Sequence, residues 1–324
     1  MNGSAVFVMP YYGDGNASAE YLAQSVAGLH AQTDPGWRLV VVDDASPRPQ
    51  DRNRLRELRD ACPDRVHVIR QETNRGQGAC RNTGVRWAAD QGAEIILFQD
   101  ADDLAHPRRL EVTRRILTDH PEADFVYSPF TVVDEHGHEV PEGRLTPSIR
   151  EILHSHRNAP VEGADAWIRI GTETGYTSLT STVSVRTALA VDHPFPEVRG
   201  SEDAHTWLRM SAGGTGFTYA PSIPGRYRIP QQGGGSSDRD RIGADYYRRK
   251  AEVDTDGFRQ AVSIALRRGS IGHGDVPRLT QAFRRRLALT LVREGRHDLA
   301  AELLAGGSVP DTGGAAAPSA EPVR

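Results

Sequence analysis

Cysteine is almost missing from this 324-residue sequence: Cys62 and Cys80 are its only two. That is too few for a disulfide framework or a cysteine-based zinc site and fits a reducing compartment, so a cytoplasmic location is expected. Lysine is scarcer still, Lys250 standing alone among 39 basic residues. So strong an arginine bias fits GC-rich bacterial coding better than a set of separately selected sites. An excess of one charge is also lacking, because 39 basic and 43 acidic residues leave a net charge of -4. Without a positive field to gather polyanions, bulk nucleic-acid binding is not expected. Long apolar runs are absent too. The first, over 5–9, is far shorter than a signal-peptide core or a membrane span, and no 18-residue apolar stretch follows, so no transmembrane insertion is expected. No repeat recurs at solenoid or propeller periods. What is present, 38% hydrophobic and 25% charged residues, is an ordinary soluble composition that can fill a sizeable core in one large domain or two smaller ones.

Short apolar runs alternate with amphipathic stretches from residue 5 to about 130, the signature of βαβ units and a largely parallel sheet. Strands are expected over 5–9, 39–42, 66–69, 95–98 and 125–127. Helices are expected from about Ser18, which reads as an N-cap, over 52–61, over 77–92, and after Pro107 in a first helical turn. Past residue 135 the periodicity is mixed: a turn at Glu135-His136-Gly137, an isolated Thr/Ser-rich strand over 179–185, a short helix over 201–212 and a strand over 225–229 ending at Pro230. A Gly/Ser-rich loop follows over 231–240. Helical patterns resume over 244–268 and 276–304, and the last stretch is dominated by Gly, Pro, Ala and Ser.

Three segments carry chemistry. In Ile95-Ile96-Leu97-Phe98-Gln99-Asp100-Ala101-Asp102-Asp103 an apolar strand stops abruptly in three carboxylates. Alternation puts Asp100 and Asp102 on one side at the carboxyl end of a parallel strand, where α/β folds place ligands. A divalent cation would satisfy them, and hard oxygen ligands without nearby cysteine favour Mg²⁺ or Mn²⁺; a helix cap is an equally good reading of an isolated Asp triplet. Val41-Val42-Asp43-Asp44-Ala45-Ser46 repeats the pattern, with a carboxylate able to accept from a uracil NH or a ribose hydroxyl, or simply to shape a turn. In Asn74-Arg75-Gly76-Gln77-Gly78-Ala79-Cys80-Arg81-Asn82-Thr83-Gly84, small residues allow close backbone approach and Arg75 or Arg81 has the chemistry to meet phosphate. The glycine spacing departs from GxGxxG and the segment follows the third strand, which disfavours a dinucleotide-binding dehydrogenase.

In this order, these segments resemble the GT-A glycosyltransferases of family 2, the inverting nucleotide-sugar transferases. The likeness covers roughly residues 4 to 230. It begins with a strand ending in Pro10-Tyr11-Tyr12 and continues downstream through Phe195-Pro196-Glu197, Gly200-Ser201-Glu202-Asp203, Leu208-Arg209 and Tyr227-Arg228. The resemblance implies a Rossmann-like, mostly parallel α/β sheet flanked by helices, with a nucleotide-sugar half (1–130) and an acceptor half (131–230); composition and periodicity add a flexible loop or lid (231–243), a helical C-terminal region (244–304) and a disordered, dispensable tail (305–324). It implies that Asp44, then Asp43, contacts the base, with Pro10, Tyr11, Tyr12, Asn74, Gly76, Arg81 and Ala101 around the nucleotide and the tyrosines stacking on uracil. Asp100 takes a ribose or metal role and Asp102 the direct role on Mn²⁺ or Mg²⁺. Asp203 becomes the general base, and Glu202 orients acceptor or base. Helix-dipole capping is the alternative for both, and structural capping is the alternative for Asp103.

The expected reaction is a single sugar transfer, since the QxxRW element of processive synthases is missing. UDP-hexose is the default donor, and a small molecule, peptide or glycan the acceptor. One departure stands out. Relatives commonly follow the late Tyr-Arg pair with a metal-binding His, whereas Pro230, Gln231 and Gln232 follow here. Either an amide oxygen of Gln231 or Gln232, a water or His205 substitutes, although His205 reads first as a surface histidine, or metal binding is weak until the nucleotide supplies phosphate oxygens. Trp37, Trp87, Trp167 and Trp207 read as packing residues. The rivals are a nucleotidyltransferase on a similar sheet and a degenerate nucleotide-sugar-binding or scaffold protein.

Overall fold

The computed structural model of the chain describes residues 4–13, 15, 18–231 and 245–305. Near-continuous apolar runs make β1 (Ala5–Tyr11) and β4 (Ile95–Phe98) buried along their whole length and β2 (Trp37–Asp43) buried but for Arg38, as parallel strands covered on both faces require. With β3 (Val66–Arg70) they form the parallel half of a sheet, in register Val8↔Val40 and Val8↔Phe98. The sheet order is β3-β2-β1-β4-β7-β5-β8, with β5 at Phe125–Tyr127, β7 at Val183–Arg186 and β8 at Phe217–Tyr219. A separate parallel pair joins β6 (Phe130–Val133) to β9 (Gly225–Arg228).

One expectation is overturned. The Thr/Ser-rich stretch over 179–185 is not an isolated strand: its first part is a tight helical turn, and β7 runs antiparallel between β4 and β5 in the middle of the sheet. Its alternate residues Val183 and Val185 are fully buried, which is the signal for that place.

One face of the sheet is covered by α1 (Ser18–His30), α2 (Pro49–Ala61) and α4 (Arg109–Asp119). Ser18 is the first helical residue of α1 and not its cap, while Leu22, Val26 and Leu29 are buried as their spacing requires. Pro107 lies in the turn before α4. The other face carries α3 (Gln77–Asp90), the short α6 (Ala166–Arg169) and α7 (Thr187–Asp192), and α8 (Glu202–Gly213), where Trp207 packs against Phe98, Phe125 and Phe195 at ring separations of 5.4–5.5 Å. Unforeseen from the sequence was α5 (Pro147–Asn158), although its Thr146 cap and Pro147 are start signals. The C-terminal region comprises α9 (Tyr246–Arg268), α10 (Val276–Arg293) and α11 (His297–Leu304). The single helix expected over 276–304 is split because Gly295 takes a positive φ of 73°.

Gly84 explains how closely α3 lies on the sheet. A Cβ there would come within 2.5 Å of the Val8 methyl. Gly84→Val is therefore expected to destabilise the fold by about 1–3 kcal/mol, read as a lower urea midpoint at unchanged m-value.

Candidate active site

The carboxyl ends of β1, β2 and β4 lie side by side, with Tyr11 paired to Asp43 and the acidic loop leaving β4 beside them. On the β2 side, Asp43 is buried, accepts from the Ser46 amide at 2.9 Å and hydroxyl at 2.5 Å, and pairs with Arg70. Asp44 closes the next loop: its two oxygens accept the Arg75 and Gly76 amides, each at 2.8 Å. Ala45 between them and Ser46 is held at φ 60°, a left-handed conformation that a non-glycine residue keeps only when its surroundings impose it. Tyr11 is buried with its hydroxyl donating to Asp51 at 2.9 Å, while the adjacent Tyr12 is exposed. Pro10 lies within β1.

The three aspartates after β4 have separate fates. Asp103 is buried, accepting from Ser181 Oγ at 2.5 Å and from the Arg228 amide at 2.8 Å, so it ties the loop to β7's lead-in and to β9. Burial, with the charges of Asp102 and Asp100 beside it, pushes its carboxyl well above the ordinary range. Asp100 and Asp102 stay partly exposed, with Ala101 between them also partly exposed. Ser181, which sequence reasoning missed, also accepts the Asp100 amide at 2.9 Å. Below the loop, Arg228 is spread over the Asp102 carbonyl (2.8 Å), the Asp134 and Glu135 carbonyls and Gln24 (2.8 Å).

Arg81 joins the two halves of the site. Its guanidinium is 1% exposed and donates to Asp100 at 2.8 Å, to Glu202 at 2.7 Å and to Gln77 at 2.9 Å. Burial opposes its charge, but the Asp100 and Glu202 carboxylates outweigh that and hold it above its usual range. Thus Arg81 is engaged by carboxylates instead of offering itself to a phosphate. A second clasp runs alongside. Asn82 exchanges hydrogen bonds with the Phe195 backbone at 2.8 and 2.7 Å, Arg75 pairs with Glu197 at 2.5 Å, and Asn74 accepts from Arg199 at 2.8 Å. The glycine at 78 permits this: its Cβ would lie 2.6 Å from the Pro196 carbonyl oxygen.

Beyond the clasp, the chain turns through Gly200 (φ 87°) and Ser201 (φ 64°) into α8, whose first turn is Glu202-Asp203. Asp203 Oδ1 accepts from the Ala204 amide at 2.7 Å. Burial first, then the Glu202 charge, push its carboxyl up to about 7, with Arg81 pulling the other way. That value suits a proton acceptor near neutral pH. His205 is a correction: far from lying on the surface, it is 3% exposed, with Nε2 3.0 Å from Asp256 and Nδ1 accepting from Arg209 at 3.1 Å, so neither ring nitrogen is available to a metal. Gln231 has its amide on Glu135 at 2.8 Å and its side-chain nitrogen on the Ile229 carbonyl at 2.9 Å. The rest of the loop expected over 231–240, from Gln232 on, lies outside the described residues, as does the tail beyond 305.

Among the described residues no group of three His, Cys, Asp or Glu side chains is placed to hold a metal ion. The two partly exposed carboxylates, Asp100 and Asp102, fit the kind of site in which Mg²⁺ or Mn²⁺ is held by one or two carboxylates together with substrate phosphates and water.

An acidic carboxyl edge on a mostly parallel sheet interrupted by one antiparallel strand, facing a second carboxylate pair at a helix start, defines the GT-A class of fold. The structure is similar, at a TM-score of 0.59 and 18% identity, to that of the mannosyltransferase PcManGT from Pyrobaculum calidifontis in complex with GDP-Man and Mn²⁺, covering 96% of this chain and 77% of that one. It is likewise similar to S. aureus TarS 1-349 in complex with UDP, at a TM-score of 0.53 and 18% identity over 94% of this chain and 90% of that one. The chain belongs to glycosyl transferase family 2, whose family model matches residues 6–178. Among sequence relatives, EpsE of Bacillus subtilis (strain 168), named as a glycosyltransferase, is 29% identical over 189 residues, which are 58% of this chain and 61% of that protein.

Proposed function

We propose that the chain is an inverting, metal-dependent glycosyltransferase that moves one sugar from a nucleotide-sugar donor, with UDP-hexose as the default, to a small-molecule, peptide or glycan acceptor. The single observation that carries this reading is Arg81, which bridges Asp100 of the acidic loop and Glu202 of the first turn of α8 and so ties the segment bearing Asp203 to that loop. On this reading Asp203 removes the proton of an acceptor hydroxyl while that oxygen attacks the anomeric carbon. The anomeric carbon–oxygen bond to the nucleotide breaks on the opposite face, its electron pair leaves with the diphosphate, and the configuration inverts without a covalent intermediate. Glu202, fixed by Arg81, orients the acceptor or the base. Asp102 and Asp100 would hold Mn²⁺ or Mg²⁺, which when bound supplies positive charge against the departing diphosphate. On this reading the exposed Tyr12 stacks on the base, with Pro10, Asp43, Asp44, Asn74, Gly76 and Ala101 shaping that edge. Cys62 and Cys80 are both free thiols, in keeping with a cytoplasmic setting. No described helix is long and apolar enough to cross a membrane.

The test is a mass-spectrometric screen of UDP-, GDP- and dTDP-sugars against an acceptor panel, with and without Mn²⁺. Metal-stimulated transfer giving a product of inverted anomeric configuration supports the proposal. Binding of nucleotide sugars without turnover on any pair would instead mark a nucleotide-sugar-binding protein.

A further inference from the structure

Ser201 occupies the N-cap position of α8, directly before Glu202-Asp203, in a left-handed conformation (φ 64°, ψ 15°) that is strained for a residue with a Cβ. A serine at that position ordinarily turns its hydroxyl onto an amide of the first helical turn. This one does not cap its helix. Its hydroxyl donates instead to Asp254 Oδ1 of α9 at 2.5 Å. Asp254 is 3% exposed, and its other oxygen accepts from the Lys250 ammonium at 3.0 Å and from the Tyr176 hydroxyl. Lys250 in turn sits 3.7 Å from the centre of the Tyr176 ring and 3.5 Å from Ser201 Oγ.

The chemistry of this cluster is particular. In a chain that uses arginine at every other basic position, the one lysine is placed where a compact ammonium must fit among a ring face, a carboxylate and a hydroxyl. A planar guanidinium has neither that shape nor that point charge. The cluster is also one of the places where α9 grips α8. Midway, Asp256 meets His205, and Gly257 comes so close that a Cβ there would lie 2.8 Å from the His205 Cα. At the far end, Arg268 donates to the Ala212 carbonyl at 2.8 Å and to the Gly214 carbonyl. The helix that presents Glu202 and Asp203 is therefore fixed along its length by the C-terminal region, and its first turn is fixed through Ser201.

We infer that Asp254 and Lys250 are positioning residues for the general base: by anchoring Ser201 in its strained conformation they set the direction in which Asp203 meets the acceptor. The inference rests on the transfer reaction proposed above. Both side chains are buried behind Ser201, so their loss should misplace the base without removing nucleotide contacts, and a displacement of about 1 Å at a reacting group can cost on the order of 10²-fold.

The experiment uses the full chain and compares Ser201→Ala, Lys250→Met and Asp203→Asn. Ser201→Ala removes the anchor while leaving the Asp254–Lys250–Tyr176 cluster together, so it is expected to fold even if Lys250→Met, which strands a buried carboxylate, does not. The expected result is a kcat about 10-fold to 10²-fold lower in Ser201→Ala, with donor KM, UDP affinity and Tm close to wild type. Ser201→Asn should regain several-fold of that loss, because asparagine adopts the left-handed conformation readily and carries an N–H to give to Asp254. Wild-type kcat in Ser201→Ala, with Asp203→Asn impaired, overturns the positioning role and leaves the transfer mechanism standing. UDP affinity falling in step with kcat also overturns it, since the whole site has then collapsed. Normal turnover by Asp203→Asn overturns the mechanism and the positioning role together.

Discussion

Asp203→Asn is expected to transfer sugar about 10²-fold to 10⁴-fold more slowly than wild type, the usual contribution of a general base, while UDP affinity measured by calorimetry stays the same. Asparagine keeps the size and polarity of the side chain but cannot take the acceptor proton. The pH profile gives the same residue a second signature. With its carboxyl raised to about 7, Asp203 is a competent base only above that point, so kcat should rise with pH through the neutral range and flatten beyond it. In the mutant this limb should vanish. Stability should move the opposite way. Because the folded carboxyl holds its proton more tightly than the unfolded one, whose ordinary value is 3.8, the stability linked to it is complete below about pH 4 and is lost as pH rises through about 7. The mutant should therefore be at least as stable as wild type at pH 8, by Tm. A slow mutant that is also less stable at that pH would point to a structural residue, with Glu202 the next choice of base.

The second large effect is at Asp102. Asp102→Ala should abolish transfer and the Mn²⁺-dependent gain in nucleotide binding, with the fold and Tm unaltered, because its carboxylate is partly exposed and the loop's anchor to Arg228 runs through its backbone carbonyl. Its neighbour should behave differently. Asp103→Ala removes the acceptor for both Ser181 and the Arg228 amide, so it should lower Tm markedly. Calorimetry of UDP with and without Mn²⁺, beside thermal melts of both variants, separates the two. Full activity in Asp102→Ala would remove the metal assignment.

That contrast also shows where sequence reading stops. The acidic loop was legible because an apolar strand ending in carboxylates has few physical explanations, and the β2-β1-β4 core of the sheet was legible because each of those strands carries an unbroken apolar run of four or more residues next to its helix. Yet three consecutive aspartates look alike until partners distant in the chain divide them: Ser181 and Arg228 claim Asp103 and leave Asp100 and Asp102 partly exposed. Asp44 is similar. Its expected contact with a base came from the family resemblance, while its two amide donors, on Arg75 and Gly76, come from a loop some thirty residues on. Lys250 was conspicuous in composition alone, since nothing local in α9 announces Ser201 or Tyr176. Strand β7 was misjudged because four residues with a central serine carry little periodic signal.

The position of β7 governs how the chain can be built as it leaves the ribosome. Strand β4 ends at Phe98 and β5 at Tyr127, but what joins them edge to edge is not made until residues 183–186. Some 85 residues of synthesis separate β4 from its antiparallel partner, so the nascent first half carries an open apolar edge for several seconds at bacterial elongation rates of about 5–20 residues per second. A fragment cut at residue 178, where the match to the family model ends, would keep that edge permanently. Unpaired N–H and C=O groups on such a strand recruit other strands, which makes the fragment prone to aggregate.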